Sequence, residues 1–153
     1  MTSKQYIRVT KQFNFEAAHL LLGHDGQCKN IHGHSYLLHV TIIGKAVDDA
    51  GNPKHGMVMD FSEIKRIINE LIIEPYDHSL LVNENVPLSK SAEAKKLLGK
   101  FKVLPYQPTC ENLLADFAQK IKAKLPKQVK LHSLRLQETP TSYAEWHASD
   151  NPD

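Results

Sequence analysis

Two long segments near the N-terminus alternate apolar and polar residues, and this alternation is the feature that most restricts the fold. The larger apolar side chains fall on odd positions from Gln5 to Phe15 and on even positions from His32 to Gly44. A period of two is typical of strands that bury one face. The residues between them, 22–31, are rich in Gly, Asp, Gln and Asn, which favour a loop. We therefore predict a long antiparallel hairpin.

Two amphipathic helices are predicted after the hairpin. Asp60 can cap the first, which we expect to end at Pro75, and Thr109 can cap the second, which Pro126 should close. Apolar residues at helical spacing form one stripe on each helix. In the first helix these are Phe61, Ile64, Ile67, Ile68, Leu71 and Ile72, and in the second Leu113, Leu114, Phe117, Ile121 and Leu125.

Two further strands are predicted at the end of the chain. The first runs from Val129 to Glu138, and its apolar parity changes near His132-Ser133, which indicates a β-bulge. The second is short and lies around Tyr143 to His147. The order β, β, α, α, β, β within one domain, residues 1–153, predicts an α+β fold, a four-stranded antiparallel sheet with two helices on one face. We expect oligomerisation to bury the other face.

A lysine-rich segment from Asn83 to Tyr106 separates the two predicted helices. Its polar composition predicts a peripheral insertion. Within it we expect a short helical piece from Ala92 to Leu98 that ends at Gly99.

Composition and charge exclude several classes of function. The chain has 153 residues, and its 19 basic and 17 acidic side chains leave a formal net charge of +2, without the clustered basic face typical of nucleic-acid-binding proteins. No apolar run reaches membrane-spanning length, and Met1 to Lys11 lacks the features of a secretory signal. We therefore expect a cytoplasmic location, where Cys28 and Cys110 would be free thiols.

The nine histidines include a cluster that fits a metal site. His32 and His34 lie on one face of the predicted second strand, because side chains in a strand repeat every second residue. His19 shares the parity of the buried face of the first strand, so pairing of the two strand ends would bring it beside them. Three histidines with an open fourth position form a recognised catalytic zinc arrangement. The alternative is surface or hydrogen-bonded core histidines, as we expect for His24 and His39.

Cys28 stands four residues before His32 and leaves the type of metal site open. As a fourth zinc ligand it would close a structural site. As a nucleophile or acid–base group it would stand beside an open, catalytic one.

Three other positions carry candidate chemistry, each with an ordinary alternative. Asp77 can orient the imidazole of His78, or both can be solvated turn residues. Glu111, in the first turn of the second helix, can simply interact with the helix dipole. Glu138 ends a strand and is either exposed or aimed at a planar N–H pair of a ligand.

The order of these residues resembles one known family. The matching segments are Phe15-Glu16-Ala17-Ala18-His19, Cys28 with His32-Gly33-His34, Met59-Asp60-Phe61, Asp77-His78, Pro108-Thr109-Cys110-Glu111-Asn112 and Gln137-Glu138-Thr139. Together they resemble the 6-pyruvoyl-tetrahydropterin synthase family nearly end to end. Within it the chain is similar to the bacterial 6-carboxytetrahydropterin synthases of queuosine biosynthesis, because only three residues separate Cys28 from His32.

The resemblance implies the tunnelling fold, in which trimers close their sheets into a barrel and two trimers stack as a homohexamer. The implied ligands of a catalytic Zn2+ are His19, His32 and His34. Cys28 is implied in proton transfer alongside Asp77 and His78, which would come from a neighbouring subunit's side of the interface. The resemblance also implies that three residues bind the substrate. Glu138 would hold the amino-pyrimidine edge of the pterin, and Glu111 and Thr109 would line the same pocket.

The implied reaction converts 7,8-dihydroneopterin triphosphate to 6-carboxytetrahydropterin, with loss of acetaldehyde and triphosphate. The implied partners are this small-molecule substrate and further copies of the chain, with no nucleic acid and no membrane. Two alternatives stay open. One is a 6-pyruvoyl-tetrahydropterin synthase, which eliminates triphosphate with the same metal and pocket, and the other is a zinc- or pterin-binding module without turnover.

Overall fold

A six-stranded sheet forms the centre of the computed structural model, which describes residues 5–153. The strands are β1 (Tyr6–His19), β2 (His32–Lys45), β3 (Ser79–Asn83), β4 (Phe101–Leu104), β5 (Val129–Thr139) and β6 (Ser142–His147). Their order across the sheet is β4-β3-β1-β2-β5-β6. Of the N-terminal segment Met1 to Lys11, in which no secretory signal is predicted, residues 1–4 lie outside the described residues.

The predicted hairpin and bulge are both confirmed. β1 and β2 pair antiparallel over their full lengths, from Tyr6 opposite Lys45 to His19 opposite His32. β5 then pairs antiparallel with β2, and its register shifts so that His132 is an additional residue. A bulge of this kind returns the apolar side chains of β5 to the buried face, which explains the change of parity in the sequence.

The helices are α1 (Phe61–Ile68), α2 (Glu74–Tyr76), α3 (Ala92–Leu98) and α4 (Cys110–Lys124). A π-helical turn, Asn69–Ile73, joins α1 to α2, and short 3-10 turns cover Gln27–Lys29, Pro87–Lys90 and Ala148–Asp150. The side chains of Asp60 and Thr109 accept backbone N–H groups at the starts of α1 and α4, as predicted.

Two details of the first predicted helix are wrong. The helical backbone continues beyond Pro75 to Tyr76, because the π-turn ends just before Pro75 and places it in the first turn of α2, where a missing N–H is tolerated. Phe61 is 51% exposed and does not belong to the buried stripe. It is the first residue of α1 and lies at the margin of the helix–sheet contact.

The sheet has six strands, where four antiparallel strands were predicted. The two additional strands are β3, which pairs in parallel with β1, and β4, which pairs in parallel with β3. They are five and four residues long, and parallel partners are distant in sequence, so neither carries a local hairpin signal. Part of the predicted peripheral insertion is therefore a sheet edge, whereas its helix from Ala92 to Leu98 is confirmed.

The helices cover one face of the sheet and enclose a single apolar core. In this core Phe15 of the central hairpin stacks on Tyr36 and meets Phe117 of α4 edge-on. On the opposite face of β1, Gln12 and Asn14 are exposed. Within residues 5–153, none of the helices combines the length and the hydrophobicity needed to cross a bilayer.

Candidate active site

Three imidazoles meet at the end of the central hairpin. In the register of β1 and β2, His19 lies opposite His32, and Ala17 lies opposite His34. One nitrogen from each of the three histidines lies within 4.8 Å of the others. The shared parity of these residues thus produces the juxtaposition that the sequence predicts, on the helix-covered face of the sheet.

Hydrogen bonds to two of the rings determine which nitrogens are free. His19 Nδ1 lies 2.7 Å from the carbonyl oxygen of Pro108, and His32 Nδ1 lies 2.8 Å from that of Asn30. Because a carbonyl oxygen only accepts, each Nδ1 carries the proton and each Nε2 presents a lone pair in the neutral rings. These two Nε2 atoms face each other at 2.9 Å. Two lone pairs at that distance require a proton or a cation between them, so the donor set fits a metal ion.

Burial disfavours a proton as the group between these two Nε2 atoms. His19 is 2% exposed, and burial lowers its pKa to about 4, an effect that the neighbouring imidazoles reinforce and the Pro108 hydrogen bond opposes. At neutral pH the His19 ring is therefore uncharged, which is the form that binds metals. Three imidazole nitrogens suit zinc and related divalent ions.

Cys28 lies beside this cluster but outside it. It belongs to the 3-10 turn in the loop between β1 and β2, and with His32 and His34 it lines a cavity of about 380 Å³. Its sulfur is not among the clustered ligand atoms of the described residues. The arrangement thus offers three nitrogen ligands and a thiol in the adjoining cavity, which is the pattern of an open metal site.

Asp77 and His78 form a hydrogen-bonded pair. Asp77 Oδ2 lies 2.8 Å from His78 Nδ1, while Asp77 Oδ1 accepts the backbone N–H of Glu16 at 2.8 Å. The Glu16 hydrogen bond is the largest influence on the pKa of Asp77, and with His78 it lowers that pKa below the usual 3.8. His78 has a φ of +56°, in the left-handed region. This conformation brings its ring to Asp77, whereas neighbouring side chains of an extended segment would point apart.

This carboxylate–imidazole pair opens onto a second cavity. The cavity has a volume of about 430 Å³, and His78 lines it together with Glu16, Ser35 and His34. Asp77 contributes no ligand atom to the three-imidazole cluster of the described residues. His34 borders both this cavity and the one beside Cys28, so it is the point at which the two regions adjoin.

The candidate substrate-binding residues lie near the start of α4 and the end of β5. Glu111 and Glu138 line a small cavity of about 150 Å³. Thr109 caps α4, with its hydroxyl accepting a backbone N–H of the helix. The Tyr36 hydroxyl lies 3.5 Å from Glu138 Oε1, and the Tyr36 ring centroid lies 5.4 Å from that of His34. A buried tyrosine therefore connects the carboxylate to the imidazole cluster.

Two residues contribute to the site in ways that were not predicted from the sequence. Pro108 acts through its backbone carbonyl, and a carbonyl leaves no residue-type signal. Tyr36 stands two residues after His34 and so on the same strand face, but a tyrosine at such a position gives no signal beyond that of a buried aromatic residue. The proximity of Tyr36 to Glu138 depends on the pairing of β2 with β5.

Comparison with known proteins identifies relatives over almost the whole chain. The model of the family described as 6-pyruvoyl tetrahydropterin synthase matches residues 8–149. A 6-carboxy-5,6,7,8-tetrahydropterin synthase of Haemophilus influenzae is 38% identical over 141 residues, which cover 91% of this chain and 97% of that protein. A protein of the same name from Synechocystis is 34% identical and covers 90% of this chain and 91% of its own.

Solved structures share the fold. An uncharacterized protein of Wolinella succinogenes superposes with a TM-score of 0.73 at 20% identity, covering 94% of this chain and 99% of that one. The 6-pyruvoyl tetrahydropterin synthase of Caenorhabditis elegans superposes with a TM-score of 0.67 at 24% identity, covering 96% and 99%. At these identities the likeness establishes a common α+β architecture.

Proposed function

As the chain belongs to the 6-pyruvoyl tetrahydropterin synthase family, we propose that it is a 6-carboxy-5,6,7,8-tetrahydropterin synthase of queuosine biosynthesis. This enzyme would convert 7,8-dihydroneopterin triphosphate and water to 6-carboxytetrahydropterin, acetaldehyde and triphosphate. It would be a zinc-dependent lyase of the cytoplasm. The names of the relatives that match nearly the full chain support this product over a pyruvoyl one.

The facing Nε2 atoms of His19 and His32 are the observation that carries the proposal. Both Nδ1 atoms donate to carbonyl oxygens, so both lone pairs are directed at one point beside His34. Zinc bound by these three residues would act as a Lewis acid toward the side-chain hydroxyls of the substrate. Since no fourth ligand atom of the described residues joins the cluster, that position stays available to substrate.

Proton transfer is the task we assign to Cys28 and His78. Cys28 shares the cavity beside the imidazoles and would exchange a proton with the substrate side chain or pterin C6. Asp77 accepts the Nδ1 proton of His78, which leaves His78 Nε2 free to exchange the other proton. The net reaction needs no redox cofactor, because the carbon that is oxidised to the carboxylate and the ring that is reduced belong to one molecule.

Glu138 is the proposed anchor of the pterin. A carboxylate presents two acceptor oxygens in a plane, which match the paired N–H groups of an amino-pyrimidine edge. Glu111 and Thr109 would line the same pocket at the start of α4. The Tyr36 hydroxyl lies on the protein side of Glu138 and would orient its carboxylate.

We also propose that the working enzyme is a homohexamer of two stacked trimers. Asp77 and His78 open onto a different cavity from Cys28, and a neighbouring copy can bring such a pair to a site that one chain leaves incomplete. The polar, exposed side of the central strand β1 is consistent with a sheet that lines a barrel between copies.

The test of the reaction is product analysis. Zinc-loaded protein is incubated with 7,8-dihydroneopterin triphosphate, and acetaldehyde and the pterin product are followed by mass. Acetaldehyde with a carboxylated pterin is the expected result. Triphosphate release with a pyruvoyl pterin would transfer the protein to the alternative synthase, and absence of turnover would favour a binding module.

The Cys28→Ala variant tests the role of the thiol. If Cys28 is catalytic, zinc stoichiometry stays at the wild-type value and turnover is lost. Strongly reduced zinc content would instead make the thiol a fourth ligand and the metal site structural. Replacing the buried Cys110 with Ala is the matched control for zinc content, and we expect the zinc stoichiometry to stay at the wild-type value because this thiol is not among the clustered ligand atoms.

A further inference from the structure

The loop between β1 and β2, residues 20–31, carries Cys28 and is mostly exposed. Its internal hydrogen bonds join only residues of the loop itself, such as Leu21 N–H to the Cys28 carbonyl at 3.0 Å and Asn30 N–H to the Gln27 carbonyl at 3.0 Å. A segment with exposed hydrogen bonds and little buried apolar surface opens at low free-energy cost. Its position over the imidazole cluster therefore depends on contacts from outside the hairpin.

Gln107 makes such a contact. Its side-chain Nε2 donates to the carbonyl oxygen of Leu22 at 2.9 Å, across 85 residues of sequence. Among residues 5–153, no other side chain from outside the hairpin has a hydrogen bond to this loop. The side chain of the half-buried Gln107 thus links the loop to the segment before α4.

The backbone of Gln107 is itself held firmly. Its carbonyl oxygen accepts the backbone N–H of Thr109 at 2.8 Å and the side-chain amide of Asn112 at 3.0 Å. Both donors belong to the capped start of α4, a helix of 15 residues whose inner side lies in the core. The Gln107 hydrogen bond therefore connects an exposed loop to the rigid start of α4.

The next residue, Pro108, connects the same segment to the metal site. Its carbonyl oxygen accepts the Nδ1 proton of His19, as described above. Two successive residues thus orient a candidate metal ligand and the loop that carries the candidate catalytic thiol. Movement of Leu22 away from this segment has to break the Gln107–Leu22 hydrogen bond.

We propose that Gln107 is a positioning residue, which holds the Cys28 loop at a set distance from the imidazole cluster through its hydrogen bond to Leu22. This inference rests on the proposed function only in taking Cys28 as a group that acts on substrate. Gln107 lines none of the cavities beside Cys28, His78 and Glu138, and its effect is transmitted through the position of the thiol.

Reactivity of the Cys28 thiol measures loop position directly. The zinc-loaded protein is treated with iodoacetamide at fixed pH, and the rate of alkylation is followed by mass. The variant Gln107→Glu keeps the shape of the side chain but replaces the donor with an acceptor, which repels the Leu22 carbonyl. The matched control is Gln119→Glu, the same change at an exposed site on α4. Cys28→Ala supplies the blank.

We expect alkylation of Cys28 to be about two- to tenfold faster in Gln107→Glu, which is the effect of losing one hydrogen bond on a local opening equilibrium. Gln107→Ala should give a similar increase, and Gln119→Glu should match the wild type. Cys110 does not interfere, because burial raises its pKa to about 12 and shields it. An unchanged or slower rate in both Gln107 variants would overturn the proposal.

Kinetics separate positioning from a general loss of structure. For Gln107→Glu we expect kcat to fall while KM and zinc content stay at wild-type values, because the metal and the pterin pocket are intact. If the zinc content or the folded fraction of Gln107→Glu falls in proportion to its activity, the role of Gln107 is merely structural and the proposal is refuted. If the wild type shows no turnover, the proposed function fails, yet the alkylation rates still decide the role of Gln107.

Discussion

Asp116 on α4 is the acceptor of a part-buried polar network, and its replacement gives the sharpest stability test. Asp116 Oδ2 accepts the hydroxyl of Tyr106 at 2.6 Å, the hydroxyl of Tyr76 at 3.1 Å and the ammonium of Lys120 at 2.6 Å. Burial opposes ionisation of Asp116, but these hydrogen bonds outweigh it and keep the pKa of the carboxyl below its usual 3.8. Tyr76 directly precedes Asp77, so the network also supports the candidate catalytic pair.

The variant Asp116→Asn retains shape and removes charge. Each tyrosine hydroxyl then faces a neutral acceptor, and a charge-assisted hydrogen bond exceeds a neutral one by about 1 kcal/mol. Lys120 loses its ion-pair partner, and because 35% of its side chain is exposed this loss is at most about 1 kcal/mol after screening. We therefore expect the free energy of unfolding to fall by about 2–3 kcal/mol.

Urea unfolding is the suitable assay. Far-ultraviolet circular dichroism and the fluorescence of Trp146, the one tryptophan of the chain, are followed at a fixed protein concentration, since assembly would shift the midpoint. Lys120→Met is the control, because it removes the cation but leaves the carboxylate with both hydroxyl donors, and its expected cost is at most about 1 kcal/mol. If Asp116→Asn costs less than about 0.5 kcal/mol, or no more than the control, the hydroxyl bonds do not stabilise the fold as reasoned.

Three other outcomes are expected. His34→Gln should bind zinc much more weakly, measured by equilibrium dialysis, while His39→Gln on the opposite face of the same strand should bind it normally; equal losses would contradict the ligand assignment. Phe117→Ala should lower the free energy of unfolding by about 3–5 kcal/mol because the Phe117 ring is fully buried. Phe61→Ala should change that free energy by no more than about 0.5 kcal/mol because Phe61 is exposed. Comparable urea midpoints of the two variants would refute this burial argument. The pKa of Asp77 is lowered in the folded state, so its carboxylate stabilises the fold at pH values above 3.8, the pKa in the unfolded chain, and this stabilisation is lost as the pH falls through the lower folded pKa. The urea midpoint of Asp77→Asn should therefore fall less steeply with decreasing pH than that of the wild type. Parallel decreases of the two midpoints would argue against this reasoning.

Local patterns in the sequence were sufficient for the central hairpin and for the strand face on which each of the three histidines lies. Strand parity assigns His32 and His34 to the face that carries Tyr36, and it limits the hairpin to the registers that bury the apolar residues of both strands together. Among those registers, the tertiary structure selects the one in which His19 lies opposite His32. The helix caps were also readable, because an N-cap depends on one side chain and the next turn of backbone.

The short parallel strands escaped prediction because their partners lie far away in the chain. Four or five residues of β4 or β3 carry no period long enough to read, and their pairing depends on β1 being in place. Pro75 misled for a related reason. A proline predicts a helix end locally, but the π-turn before it lets the helical backbone continue.

The alternation of side chains and the choice of the three histidines as candidate ligands were properties of the sequence by itself, since a period of two and an imidazole nitrogen need no distant partner to be recognised. Tertiary structure alone decided how those groups are oriented. The Nδ1 proton of His19 is directed to a carbonyl 89 residues away, His78 reaches Asp77 through a left-handed backbone, and Gln107 spans to the Cys28 loop. Contacts between distant segments form only when the chain has folded, so hydrogen-bond geometry cannot be read from residue order.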